Sequence, residues 1–351
     1  MSFTVKIRQS DSPLAVEMGD TILTAALAAE IDYPHGCQSG NCGACKSRLH
    51  AGEVEMSPYS DYALTDAEKD SGLVLACRAV PWSDCEIAWL EQDEVVSHPL
   101  RKLDCKVTAL ERMTHDITRV RLSIEAGGPF DFTAGQYARV TFADLPPRDY
   151  SMASLPPDGK EGNDMIEFHI RMVTGGGVSS FVHNDLKPGD NVRVEGPYGI
   201  SYLRQKHTGP VVALAGGSGL APIMSIVESA LADGAEQPIH MYFGVRAEAD
   251  VYLEDHFQAL AAKHENFTFE IVLSEPAKNP GGTTDRRSGY LADVVADDFK
   301  DLDGAKAYLA GPPIMVETCV GKLKEMRVRN EDCHADAFYT EAEKAKLEEA
   351  S

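Results

Sequence analysis

Four cysteines constrain this 351-residue chain more than any other feature. Cys37, Cys42 and Cys45 follow the spacing C-x4-C-x2-C, and Cys77 comes after 31 further residues. That spacing holds a 2Fe–2S cluster, three thiolates coming from one loop and the fourth from a later segment. Gly36, Gly40 and Gly43 stand among the ligands and allow a tight turn whose N–H groups point at the sulfurs. A centre built from four thiolates and bridging sulfides is strongly negative, and such donors stabilise it. The competing readings are a structural zinc site and unrelated buried thiols. Zinc commonly takes paired C-x2-C hooks, and only one is present. The remaining thiols, Cys85, Cys105, Cys319 and Cys333, fall on strand or helix patterns and are expected to be structural.

A chain of this length predicts two or three domains. Residues 1–92 open with alternating Phe3, Val5, Ile7 and then Leu14, Val16, a hairpin pattern. Asp20 reads as the N-cap of a helix over Thr21–Ile31, Thr65-Asp66-Ala67-Glu68 as a capping box, and Leu73–Val80 and Cys85–Leu90 as strands. An acidic, Pro99-containing stretch over 93–102 reads as a linker. Residues 103–206 show short strands between turn signals, as in a small antiparallel barrel. Residues 207–340 alternate strands and helices, which implies a parallel sheet covered by helices, and 341–351 form a charged tail. The expected fold is therefore multidomain: an α+β domain around the cysteine loop, a β-barrel and an α/β domain.

The net charge of −22 disfavours nucleic acid and anionic membrane surfaces as partners. Residues 1–98 carry 16 acidic against 6 basic residues, a face suited to a basic protein acceptor. The longest uncharged run, Thr208–Val227, is broken by glycines and prolines and reads as strand, turn and helix rather than a membrane span. The first residues lack the basic region and apolar core of a secretory signal, and eight cysteines are too sparse for a disulfide scaffold. The expected compartment is the cytoplasm.

Two further constellations point to cofactors. Arg148-Asp149-Tyr150-Ser151 follows Gly135-Gln136-Tyr137 and precedes Gly175-Gly176-Gly177-Val178-Ser179. An arginine neutralises a pyrophosphate, a tyrosine packs on an isoalloxazine, a hydroxyl bonds flavin N5, and a glycine turn opening a helix over Val178–Leu186 offers N–H groups to phosphate. An ordinary barrel hairpin and loop explain the same residues. Val211–Ala215 runs into Gly216-Gly217-Ser218-Gly219-Leu220-Ala221-Pro222 and a helix, the strand–turn–helix context of a dinucleotide site. Pro222 replaces the third glycine of the usual fingerprint, which a first helical turn tolerates. Arg246 and Gly311-Pro312-Pro313 end later strands, where ligands bind in parallel sheets. Glu275 at another strand end would favour the free ribose hydroxyls of NADH over the 2′-phosphate of NADPH, although Arg246, Arg286 and Arg287 would suit the phosphate.

Together these residues resemble the iron–sulfur flavoprotein reductases of bacterial oxygenases, within the ferredoxin–NADP reductase superfamily. The likeness is nearest to the reductase components of Rieske-type aromatic-ring dioxygenases such as naphthalene dioxygenase. The stretches from Tyr202 to Pro210, Tyr242 to Arg246 and Ala335 to Tyr339 carry it. The resemblance implies a β-grasp plant-type ferredoxin domain, an FAD barrel and a nicotinamide domain. It implies cluster ligation by Cys37, Cys42, Cys45 and Cys77. FAD would contact Tyr137, Arg148, Tyr150 and Ser151, with His169, Ile170 and Arg171 near its adenine and Gly177, Val178 and Ser179 near its pyrophosphate. NADH would meet Gly217, Ser218, Gly219, Arg246, Glu275, Gly311, Pro312 and Pro313. Phe338 would cover the isoalloxazine, with Ser151, Asp336 and Phe338 closest to hydride transfer. Many relatives carry a cysteine where this chain has Ala310 and a glutamate where it has Asp336, which implies altered nicotinamide affinity rather than lost activity.

The reaction so implied passes hydride from NADH to FAD and single electrons through the cluster to a Rieske oxygenase or Rieske ferredoxin. The alternatives are the reductase of a soluble di-iron monooxygenase or a deoxysugar reductase partner. A non-catalytic redox sensor is disfavoured, because no DNA-binding or partner module is left unassigned.

Overall fold

The computed structural model describes residues 2–343 except 32, 36, 37, 39, 41, 42, 61, 62, 91–93, 95, 158–164 and 277–285. Cys37 and Cys42, parts of the expected linker and most of the expected tail lie outside the described residues. Two compact units are present, one of residues 1–93 with 339–351, the other of residues 94–338.

In the first unit, β1 (Ser2–Ile7) and β2 (Leu14–Glu17) form the expected hairpin, with Phe3 opposite Val16. They are followed by α1 (Ile22–Ala28), β3 (Lys46–Ala51), β4 (Val54–Met56), α2 (Asp66–Asp70), β5 (Leu73–Leu75), β6 (Ala79–Pro81) and β7 (Cys85–Trp89). The five-stranded sheet has the order β2-β1-β7-β3-β5, with β1 and β7 parallel, and β4 pairs separately with β6. This is the β-grasp arrangement. Its core joins Val5, Ile7, Val16, Ile22, Leu23, Leu75 and Ile87.

Three local expectations shift. Thr21, not Asp20, caps α1, because its hydroxyl accepts the Thr24 N–H at 3.2 Å. The helix stops at Ala28 because Glu30 turns left-handed (φ 57°), so that Glu30 and Ile31 donate back to Leu27 and Ala26. Leu73–Val80 is two strands separated by the turn that carries Cys77. The capping box at Thr65 and Glu68 is formed reciprocally.

The second unit opens with an antiparallel sheet of β8 (Arg101–Arg112), β9 (Ile117–Ala126), β10 (Tyr137–Phe142), β11 (Arg148–Ser151), β12 (Met165–Arg171) and β13 (Asn191–Tyr198), in the order β11-β10-β13-β8-β9-β12. Strand β8 starts inside the segment read as linker, because Arg101 and Lys102 pair with Gly196 and Glu195. A single bridge, Met152 to Phe168, brings the two edge strands together and makes the sheet a barrel. Helix α3 (Gly177–Asn184) follows β12 and ends two residues before the expected Leu186.

A parallel sheet completes the unit: β14 (Val211–Gly216), α4 (Leu220–Ala232), β15 (Ile239–Val245), α5 (Glu254–Lys263), β16 (Phe267–Leu273), β17 (Arg287–Ser288), α6 (Leu291–Asp298), β18 (Lys306–Gly311), α7 (Pro313–Glu325) and β19 (Cys333–Ala337). The strand order is β17-β16-β15-β14-β18-β19, all neighbours parallel. Helix α4 is apolar nearly all round and buried on almost every side. Ser225 on α4 donates to the Ser154 carbonyl at 2.8 Å, tying the helix to the segment after β11. Arg204 locks the exit from the barrel: its N–H donates to the Tyr308 hydroxyl at 2.9 Å, and its guanidinium lies 3.9 Å from the Tyr202 ring centroid. No helix among the described residues is long and apolar enough to cross a membrane.

Candidate cofactor sites

Of the four cluster cysteines, the described pair Cys45 and Cys77 is buried, and the Cys77 N–H donates to Cys45 Sγ at 3.4 Å. Beneath them, Ser47 Oγ donates to the Cys45 carbonyl at 3.0 Å and meets the Tyr33 hydroxyl at 2.6 Å. Burial, with the nearby Cys45 and Cys77 adding to it, holds the Tyr33 phenol far above its ordinary range, so it stays a neutral donor. Gly40 (φ 76°) sits so close to Tyr59 and Arg78 that an added Cβ would lie 2.9 Å from Tyr59 Cβ. Buried thiols, a donor already aimed at sulfur and a loop pressed on its neighbours suit a thiolate-held cluster. The other cysteines are structural in character: burial pushes the Cys105, Cys319 and Cys333 thiols up to about 12.

The barrel presents the second site. The Met152–Phe168 bridge is the one strand pairing between the two edges among the described residues, so Tyr150 and Ser151 lie on one side of the barrel's seam and His169 to Arg171 on the other. The Tyr150 ring packs between Phe142 and Phe168, and burial raises its hydroxyl to about 12. Tyr137 stacks with Tyr198 at 5.6 Å. Arg148 donates to the neighbouring Pro147 carbonyl and is partly exposed. Gly177 opens α3 after the Gly176 cap, Val178 is buried, and the Ser179 hydroxyl accepts the Val173 N–H at 3.0 Å.

His169, expected beside adenine, is wholly enclosed: Nδ1 lies 3.2 Å from the Tyr252 hydroxyl and Nε2 lies 3.1 Å from Glu167. Ile170 belongs to the barrel core. Of these three, Arg171 alone reaches outward. It donates to Asp116 at 2.8 Å, and its Nη1 lies 3.6 Å from where a Gly217 Cβ would stand.

The third site lies at the carboxyl edge of the parallel sheet. Gly217, Ser218 and Gly219 form one tight turn that runs directly into α4, with Pro222 in its first turn as the sequence allowed. Gly219 rests on β18: a Cβ there would come within 2.0 Å of the Ala310 carbonyl. Pro312 and Pro313 start α7, and the Phe338 N–H returns to the Gly311 carbonyl at 2.9 Å. Asp336 stands in register with Ala310 and accepts the Ser151 hydroxyl at 3.0 Å. Ser151, Asp336 and the glycine turn are thereby gathered at one junction between barrel and sheet.

Arg246 faces Asp250 at 3.5 Å and Asp116 at 4.0 Å. The Glu275 N–H donates to the Arg246 carbonyl at 2.8 Å. Arg286 is held by Glu248 and Glu254, at 2.8 and 2.7 Å, and Arg287 by Asp298 at 2.7 Å. Asp116, Glu167 and Tyr252 went unnoticed in the sequence. Each has a partner far along the chain that no local spacing reveals: Arg171 for Asp116, Arg121 for Glu167 and His169 for Tyr252.

Comparison with known proteins now bears on this geometry. Residues 5–81 match the 2Fe-2S iron-sulfur cluster binding domain, 104–202 the oxidoreductase FAD-binding domain, and 213–321 the oxidoreductase NAD-binding domain. The reductase component of the naphthalene 1,2-dioxygenase/salicylate 5-hydroxylase systems of a Ralstonia species is 42% identical over 93% of this chain and 95% of its own. The chain belongs to the reductase components of multicomponent oxygenases. It is an oxidoreductase with a 2Fe–2S domain, an FAD domain and a NAD domain in that order. The reductase component of propane 2-monooxygenase from Gordonia is 34% identical over 97% of this chain and 99% of its own. Among solved structures, the Amycolatopsis cytochrome P450 reductase GcoB superposes with a TM-score of 0.74 at 33% identity, covering 96% of this reductase and 98% of itself.

Proposed function

We propose that this reductase is a cytoplasmic NADH:acceptor oxidoreductase that supplies electrons to a Rieske-type terminal oxygenase or its Rieske ferredoxin. The observation that carries the reading is the Ser151–Asp336 hydrogen bond, which joins the end of β11 to β19, the strand paired with the β18 on which the glycine turn rests. FAD held by Tyr137, Arg148, Tyr150 and Ser151 would supply the conversion of a two-electron hydride donor into single electrons for a 2Fe–2S cluster. The protein's own part is alignment. Tyr150 and Ser151 offer a packed ring and a hydroxyl at the barrel seam, and Arg148 a cation for pyrophosphate. Gly217 to Gly219 offer backbone N–H groups at the start of α4. Phe338, backbone-bonded to Gly311, would cover the flavin until nicotinamide enters. Cys37, Cys42, Cys45 and Cys77 would hold the cluster.

NADH is favoured over NADPH because Arg286 and Arg287 are already saturated by carboxylates. A 2′-phosphate near Glu275 would meet negative charge. A Rieske-type acceptor is favoured because the relative named for naphthalene dioxygenase shares more of the sequence than the one named for propane monooxygenase.

An anaerobic titration with NADH, and in parallel with NADPH, followed by visible absorbance and low-temperature EPR, tests the reading. Bleaching of the flavin by NADH and a rhombic signal from the reduced 2Fe–2S cluster are expected, at far lower NADH than NADPH. An unbleached flavin would overturn it. Reduction of a purified Rieske oxygenase, set against a di-iron hydroxylase, then decides the acceptor.

A further inference from the structure

A polar chain, buried at His169 and Tyr252, crosses from the barrel to the nucleotide turn. It runs from Glu167 through His169 to Tyr252 and ends at the Gly217 carbonyl. The contacts are 3.1 Å from Glu167 Oε1 to His169 Nε2, 3.2 Å from His169 Nδ1 to Tyr252 Oη, and 3.4 Å from Tyr252 Oη to Gly217 O. Tyr252 is held edge-on by Phe243 and by His169 itself, each at 5.5 Å between centroids, so its hydroxyl has little freedom except to turn its proton. The buried side chains of this chain are unused by the cofactor roles proposed above.

Counting protons shows what the chain can do. Glu167 is ionised, since Arg119 at 2.8 Å and Arg121 at 2.9 Å flank it, so Nε2 must carry a hydrogen and donate to it. When His169 is neutral, Nδ1 is therefore a lone pair and takes the Tyr252 proton, leaving Gly217 without that donor. When His169 is an imidazolium, Nδ1 donates to Tyr252 and the tyrosine proton points at the Gly217 carbonyl.

We propose that His169 and Tyr252 are positioning residues for nicotinamide binding: the Tyr252 hydroxyl steadies the Gly217–Gly219 turn when His169 is protonated and releases it when His169 is neutral. The inference rests on that turn being the nucleotide site. Burial opposes protonation of His169 and outweighs Glu167, which favours it, so the imidazole sits below its ordinary range and the change belongs to the acid part of the pH range. The other charged groups around the pair are Arg119 and Arg121 on β9 and Asp116, which acts on Tyr252 from the loop before β9. His115, exposed and 3.8 Å from Asp116, is the neighbouring histidine whose titration must be told apart.

The test is the KM for NADH in ferricyanide reduction by the holoenzyme, measured between about pH 5 and about pH 8.5. The wild type is expected to show a KM that rises with pH by about three- to tenfold, the worth of one hydrogen bond, with kcat moving less. Tyr252→Phe keeps the ring and loses the hydroxyl, so its KM should be flat at the high limit. His169→Asn places a permanent N–H where Nδ1 stands, so its KM should be flat at the low limit. A pH dependence that persists unchanged in both variants belongs to His115 or another group and overturns the proposal. A wild type that NADH cannot reduce at any pH overturns the nucleotide-site reading instead.

Discussion

The Ser151 hydroxyl donates to the Asp336 carboxylate at 3.0 Å and so connects β11 of the barrel to β19 of the parallel sheet, two strands 185 residues apart in the chain. A serine hydroxyl has one proton. With that proton given to Asp336, its lone pairs are left for a ligand at the barrel seam. Ser151→Ala is expected to slow flavin reduction by NADH by about tenfold in rapid-mixing experiments, because alignment at the transfer site is lost. Asp336→Asn should cost less, since an amide oxygen still accepts from Ser151. Equal rates in Ser151→Ala and wild type would remove the hydroxyl from the site.

The glycine turn makes a steric prediction. Gly219 has an ordinary helical backbone (φ −60°), so alanine there meets no conformational penalty. What it meets is the Ala310 carbonyl, 2.0 Å from the new Cβ, and backbone cannot step aside as a flexible side chain can. Gly219→Ala should lower stability by about 1–3 kcal/mol and raise the KM for NADH more than it lowers kcat. Thermal unfolding together with steady-state kinetics checks both.

Much of this architecture was readable because its signals are local. Strand alternation in Phe3–Ile7, the glycine run after Val211 and the cysteine spacing each occupy one short window. The Thr65–Glu68 capping box needs only four residues. Adjacent residues of equal capping talent were less readable: Asp20 and Thr21 both qualify, and only the geometry of the Thr24 N–H selects Thr21. The end of α1 was hidden because Glu30, not glycine, takes the left-handed position. The family resemblance implied His169 near adenine, whereas its enclosure involves Tyr252, 83 residues onward. Arg286 and Arg287 looked available for phosphate until their carboxylate partners came into view.

The cluster ligands separate the two halves of the electron path. Cys77→Ala removes one of the four expected thiolates from a buried position against Cys45. It is expected to lose the rhombic EPR signal and to cut NADH-driven cytochrome c reduction by about tenfold or more, while ferricyanide reduction, which flavin alone can serve, is retained. Loss of ferricyanide reduction in a folded, flavin-replete variant would reverse the proposed electron order.

Glu167 links the same interface to acid stability. Burial pushes its carboxyl upward, but hydrogen bonds with His169 and Arg121 and the adjacent Arg119 guanidinium outweigh that and hold it at about 2. A carboxyl depressed in the folded state contributes stability in full above its unfolded value of about 4.3, and the contribution fades as pH falls toward the folded value. The depression corresponds to about 2–3 kcal/mol. Glu167→Gln should therefore be less stable than wild type from about pH 5 upward, with the difference shrinking below pH 4 and nearly gone by about pH 2. Urea unfolding of the two proteins at a series of pH values measures it. A gap that stays constant down to pH 2 would mean that Glu167 contributes packing rather than charge.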